Sequence, residues 1–170
     1  MNIRKALPDD AKGVAKVHVD SWKTTYKNIV PDAFLNKMSY ESRERKWKEI
    51  ISSRAVYVAE TDEGEIIGFA SGGEERTGKY PNYHGELYAI YILEAHQRKG
   101  LGKSLLKPII ESVKQKGLFS MTVLVLEENR SRLFYEALGA KKIDTLEVDI
   151  SGKKLNELVY GWEDIRVIND

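Results

Sequence analysis

Apolar residues along the chain change their spacing in a regular order. Residues 2–6 alternate around Ile3 as a short strand, and Pro8-Asp9-Asp10 then reads as a helix start, since carboxylates suit the positive end of a helix dipole. Ala11, Val14, Ala15, His18 and Trp22 follow at helical spacing, the stripe of a helix laid on a sheet. His18 on that stripe reads as a packed residue and receives no role. The period falters over residues 21–37, where Trp22, Tyr26, Ile29, Val30, Phe34 and Leu35 are interleaved with polar side chains. Ser39 or Ser42 can cap a further helix in which mixed charges surround Trp47, Ile50 and Ile51, the pattern of a solvated outer face.

Residues 55–61 and 65–72 read as two strands turned at Asp62-Glu63-Gly64, and the glycine- and charge-rich stretch 72–83 as a loop suited to substrate selection. Residues 86–92 form an apolar, β-prone run, and Leu105, Leu106, Ile109, Ile110 and Val113 mark an amphipathic helix that stops at Gly117. Residues 119–126 predict a strand, 131–138 a short helix, and 141–150 with 154–162 a hairpin turned at Ser151-Gly152-Lys153. The order β-α-α-β-β-β-α-β-α-β-β predicts an α+β fold.

Composition narrows the class. A chain of 170 residues with 42% hydrophobic content suits one domain, residues 1–170, with a full core. No stretch has the length and apolarity of a membrane span or a signal-peptide core. The absence of cysteine excludes disulfides, thiolate metal sites and a cysteine nucleophile, and it fits a cytoplasmic protein. No histidine pair at ligand spacing suggests a metal. The 27 basic and 26 acidic residues give a net charge of +1, which provides no global field for nucleic acid or an anionic membrane. A homodimer is left open.

The chemistry concentrates in Gln97-Arg98-Lys99-Gly100-Leu101-Gly102-Lys103-Ser104, which joins the 86–92 strand to the amphipathic helix. A glycine turn feeding a helix N-terminus aims free N–H groups and the positive end of a dipole at one point, a site for phosphate. A P-loop requires glycine at position 97, where Gln97 stands, and a dinucleotide fingerprint requires one at 105, where Leu105 stands.

Gln97-x-x-Gly100-x-Gly102 resembles the acetyl-CoA signature Q/R-x-x-G-x-G/A of the GCN5-related N-acetyltransferases, the GNAT superfamily. Leu124-Val125-Leu126-Glu127-Glu128-Asn129 followed by residues 133–140 resembles the family's second motif, in the family's order and separation. The resemblance spans residues 1–163 and implies the GNAT fold, a mostly antiparallel mixed sheet splayed between its two central strands and flanked by helices. It implies acetyl-CoA as co-substrate, no metal, and a direct attack of an amine on the thioester. It places Gln97, Arg98, Lys99, Gly100, Leu101, Gly102, Lys103 and Ser104 on the pyrophosphate, Ile90, Tyr91 and Ile92 along the pantetheine and acetyl group, and Asn129 and Tyr135 on the cofactor as well.

Tyr135 matches the tyrosine cast as general acid toward the CoA sulfur. Asn129 precedes it by six residues where many members have seven, and Gly139-Ala140 replaces the usual closing Gly-Phe. Trp22 and Tyr26 resemble the W-x-x-x-Y arrangement beside the acyl-acceptor site, where amphipathic rings suit a pocket wall. Simple core packing is an equal reading of that pair. Glu86 stands fourteen residues before Gly100, the spacing of the catalytic glutamate in the histone-acetyltransferase branch, and strand alternation sets Glu86, Tyr88 and Ile90 on one face. A base, a substrate-holding anion and a surface carboxylate are its three readings. The activity implied is N-acetylation of a small-molecule primary amine; acetylation of a protein N-terminus or lysine, and a CoA-binding module without turnover, are the alternatives.

Overall fold

A computed structural model describes residues 1–168, so the last two positions of the expected 1–170 domain lie outside the described residues. The elements run β1 (Asn2–Lys5), α1 (Ala11–Thr25), α2 (Asp32–Asn36), α3 (Tyr40–Ser53), β2 (Ala55–Glu60), β3 (Ile66–Glu74), β4 (Gly85–Ile92), α4 (Leu101–Gln115), β5 (Met121–Leu126), α5 (Ser131–Ala137), β6 (Lys141–Ile150) and β7 (Lys153–Trp162). Single 3₁₀ turns stand at Pro8–Asp10, Glu94–His96 and Ile165–Val167.

All seven strands form one sheet in the order β1-β2-β3-β4-β5-β7-β6. Every neighbouring pair is antiparallel except β4 with β5. That parallel pair is joined only at Gly85, Glu86 and Leu87, opposite Met121, Thr122 and Val123. Beyond Leu87 the two central strands separate, and the unpaired edge of β4 faces the gap. This is the α+β, splayed-sheet architecture expected from the resemblance.

Hydrophobic stripes account for what covers each face. Leu105, Leu106, Ile109 and Val113 of α4 pack with Leu87, Met121, Val123, Leu158 and Trp162 on one side of the sheet. Val14 and Val17 of α1 with Trp47 and Ile51 of α3 pack against Val56, Val58 and Phe69 on the other. A third cluster on that second side joins Tyr26, Val30 and Leu35 to Leu126 and Leu155.

Two details depart from the sequence reading. The stretch 21–37 contains the short helix α2, begun at Pro31 with Asp32 in its first turn, a proline-then-acid start that five residues made easy to miss. The alternation of β4 is also broken. Ser71 pairs with Ala89 and Gly72 with Leu87, so Tyr88 is an extra residue, a β-bulge. Leu87 and Ile90, three apart, therefore pack on the α4 side, while Ala89 and Tyr91 pack on the α1 side. Glu86, preceding Leu87 in regular pairing, faces the α1 side, and Ile90 does not share its face.

Candidate active site

The splay opens a cleft of about 770 Å³ lined by β4 from Tyr88 to Ile92, β5 from Val123 to Val125, the turn at 97–103, the segment 128–135, and Thr24, Thr25, Tyr26 and Ile29. Its phosphate end is built by backbone geometry. Gly100 caps α4 with φ +81°, a left-handed conformation that glycine adopts without strain, and makes no side-chain cap. The N–H groups of Leu101, Gly102 and Lys103 consequently have no partner among the described residues and present a positive helix end to the cleft. Arg98 (φ +63°) and Lys103 add cationic side chains to the rim. These features fit a pyrophosphate.

Gln97 has a more local task than expected, since its amide donates to the Ile92 carbonyl at 3.0 Å and ties the turn to the strand end. Ser104 is exposed and bonded locally, its hydroxyl donating to the Gly100 carbonyl at 3.1 Å. Neither Lys99 nor Ser104 lines the cleft, whereas Ile90, Tyr91, Ile92, Gln97, Arg98, Gly100, Leu101, Gly102 and Lys103 do. A Cβ placed on Gly102 would meet the Phe134 ring at 3.1 Å. The close approach at this glycine is thus to an aromatic wall of the cleft, and Phe134 is a lining residue that glycine spacing could not reveal.

At the reactive end, Tyr135 is 5% exposed, its ring edge-on to Phe134 and Trp162, and its hydroxyl makes no hydrogen bond among the described residues. Burial raises its pKa, with the neighbouring Tyr26 adding to the effect, so the phenol holds its proton at neutral pH. Asn129 lies at the turn after β5, with Oδ1 accepting from the Ser131 N–H at 2.9 Å and Nδ2 donating to the Tyr26 hydroxyl at 3.0 Å. Burial raises the pKa of Tyr26, and that of Tyr91 rises well above the ordinary value. Three protonated phenols therefore gather at this end.

Tyr26 lines the cleft, as its W-x-x-x-Y spacing suggested, but Trp22 sits behind it with ring centroids 4.3 Å apart. The buried Trp22 Nε1 has no partner in hydrogen-bond geometry, although its N–H stabilises the ionised form of the Tyr91 hydroxyl. His18 stacks flat on Tyr91 at 5.9 Å and 8°, with Nδ1 accepting from Trp47 Nε1 at 3.0 Å. Burial, with Arg43 and Lys46 nearby, lowers its pKa to about 4, and the ring is neutral packing under the cleft floor.

Glu86 stands apart from the other expected site residues. Its side chain is 3% exposed and outside the cleft lining. One carboxylate oxygen accepts from the Arg76 backbone N–H at 3.1 Å and from Nε at 3.2 Å, and the other from Nη2 at 2.6 Å. The Arg76 guanidinium also lies over the Tyr88 ring, 4.2 Å from its centroid. The loop expected to select substrate is thus pinned to the sheet, and none of residues 75–84 lines the cleft. Tyr80 of the same loop donates to Asp144 at 2.8 Å.

A cleft with a phosphate cradle at one end and a proton-bearing phenol at the other belongs to a group-transfer enzyme working on a phosphorylated co-substrate. The model of the Acetyltransferase (GNAT) family matches residues 19–140. An uncharacterised N-acetyltransferase of Bacillus subtilis strain 168 is 42% identical over 168 residues, 99% of this chain and 96% of its own. A spermidine N(1)-acetyltransferase of Thermoplasma acidophilum is 26% identical over 152 residues, 85% of this chain and 91% of its own. The structure of the acetyltransferase yncA of Salmonella typhimurium with its cofactor acetyl-CoA superposes with a TM-score of 0.72 at 21% identity, covering 100% of this chain and 98% of that one. The chain belongs to the GNAT family: it is an N-acetyltransferase with acetyl-CoA as co-substrate. No described helix is long and apolar enough to cross a membrane.

Proposed function

We propose that the protein acetylates a primary amine of a small molecule by direct attack on the thioester, with Tyr135 as general acid. The observation that carries this reading is the Tyr135 hydroxyl, proton-bearing and without an intramolecular partner, in the same cleft as the free N–H groups of α4. The neutral amine nitrogen attacks the acetyl carbonyl carbon, forming the C–N bond and an oxyanion. In this reading backbone N–H groups on the unpaired edge of β4, near Tyr91 and Ile92, receive that charge, supported by the end of β4–β5 pairing at Leu87. Collapse breaks the C–S bond, the Tyr135 hydroxyl protonates the leaving thiolate, and the proton released from nitrogen passes to solvent.

Leu101, Gly102 and Lys103 hold the pyrophosphate through their N–H groups, with Arg98 beside it, and Asn129 orients the turn before α5. Glu86 acts in this reading as the counter-ion of Arg76. A small acceptor suits the cleft because Thr24, Thr25, Tyr26 and Ile29 contribute a wall to it, and its volume falls within the range of small-molecule sites. The Thermoplasma relative named for spermidine acetylation supports an amine of that size. A chain without cysteine suits the reducing cytoplasm.

The test is release of CoA thiol from acetyl-CoA across a panel of diamines, amino acids, amino sugars and short peptides. Turnover with a small amine and none with peptides is the expected outcome. Turnover confined to peptide N-termini or lysines assigns a protein acceptor, and acetyl-CoA binding with no thiol release from any acceptor assigns a CoA-binding module.

A further inference from the structure

On the sheet face that carries α1 and α2, one half-buried carboxylate has no polar partner among the described residues. Glu157 lies in the middle of β7, between Leu126 of β5 and Leu146 of β6. Alternation sets it on the same face as Leu155, which packs with Tyr26, Val30 and Leu35. It is half-buried and makes no hydrogen bond or ion pair with a described side chain. Other charged groups on this side have partners: Glu86 pairs with Arg76, Asp144 accepts from the Tyr80 hydroxyl, and Lys153 donates to the Ile29 carbonyl. Glu86 lies near enough for its negative charge to act on Glu157, and the Tyr26 and Tyr80 hydroxyls feel the charge of Glu157 in turn. Burial and that repulsion raise the Glu157 pKa.

Glu157 is not itself among the residues that line the cleft, but its strand partner Leu126 packs with Tyr26, which is. Leu124 shares its face with Leu126 by alternation and lines the cleft, as does Tyr26. A half-buried carboxylate with no partner among the described residues is a position that an incoming cation stabilises.

We propose that Glu157 is the acceptor-recognition residue: it binds a cationic group of the amine substrate lying over Leu124, so that acceptors with a second positive charge are preferred. This rests on the small-amine reading above. It assigns Glu157 to specificity and leaves acid catalysis with Tyr135. The positive group gives Glu157 an ion pair that no described residue supplies.

The experiment compares 1,4-diaminobutane with 4-aminobutan-1-ol, primary amines of equal length that differ in the second charge, in the wild type, Glu157→Gln and Glu157→Asp. In the wild type, kcat/KM favours the diamine by about tenfold or more, the scale of a partly desolvated charge pair. Glu157→Gln raises KM for the diamine by about tenfold with kcat, the amino alcohol and acetyl-CoA affinity little changed, and Glu157→Asp restores part of the preference. An unchanged diamine KM in a folded Glu157→Gln protein, or equal losses on both amines, overturns the assignment while leaving the acetyltransferase reading intact. If the wild type acetylates neither amine, calorimetric titration of the diamine into the CoA-saturated protein decides: heat lost in Glu157→Gln supports the site, and heat absent from the wild type or unchanged in the variant overturns it.

Discussion

Tyr135 presents a hydroxyl that nothing in the described fold requires, and this separates its chemistry from its packing. Tyr135→Phe keeps the ring against Phe134 and Trp162 and breaks no internal hydrogen bond. The variant is expected to melt with the wild type, bind acetyl-CoA with unchanged affinity in calorimetry, and lose about 10²-fold in kcat, the scale of general-acid catalysis. His18 supplies a different prediction. Its pKa falls from the ordinary histidine value to about 4 in the fold, so neutral His18 stabilises the native state above pH 6.5. As pH falls from 6.5 toward 4, the unfolded chain takes up a proton that the native chain refuses, and stability declines. Melting curves across that window should show the decline flattened in His18→Phe. Legibility differs from residue to residue: the cleft position of Tyr135 followed from the spacing of its local motif, and so did the Gly100 turn. The unpartnered setting of Glu157 was not legible, because it depends on strands that the sheet gathers from distant parts of the chain.

Elements fared according to how local their causes are. Helices α1, α3 and α4 and the hairpin at Ser151-Gly152 were legible because stripe, cap and turn residues are written within each segment. The bulge of β4 was not, since it is defined by pairing with β3, where a Cβ on Gly72 would come within 2.9 Å of the Glu86 carbonyl. That misread alternation grouped Ile90 with Glu86. The loop after β3 was read as a selector for similar reasons; nothing in its composition announces that Arg76 reaches a buried carboxylate. Removing the half-exposed guanidinium in Arg76→Ala leaves the Glu86 carboxylate with only the backbone N–H of residue 76, with an expected loss of about 2 kcal/mol in denaturant unfolding. Adding Glu86→Gln to that variant should recover much of the loss, because no uncompensated charge is left. A stability unchanged in Arg76→Ala would mean that the pair contributes nothing.

At the scale of the whole molecule, the sheet consists of two parts joined at three residue pairs of parallel strand. The resemblance to a known family anticipated this splay, and strand patterning alone did not, because apolar runs do not reveal how far two strands stay together. A co-substrate lying in the gap touches both parts. Acetyl-CoA at about 100 times its Kd should therefore add about 2.7 kcal/mol to the unfolding free energy. Amide exchange should slow most at residues 88–92 and 124–126, on the two sides of the gap, and uniform slowing across the sheet would argue against binding there. The bulge, finally, behaves like a one-letter insertion in a two-letter reading frame. Every β4 side chain beyond Tyr88 is read on the opposite face from the one its position counted from Gly85 would assign. Deleting Tyr88 would remove only the inserted letter: Ala89 would follow Leu87 in plain alternation, with Ile90 still toward α4 and Tyr91 still against His18, and the loss would be the ring that lies under the Arg76 guanidinium.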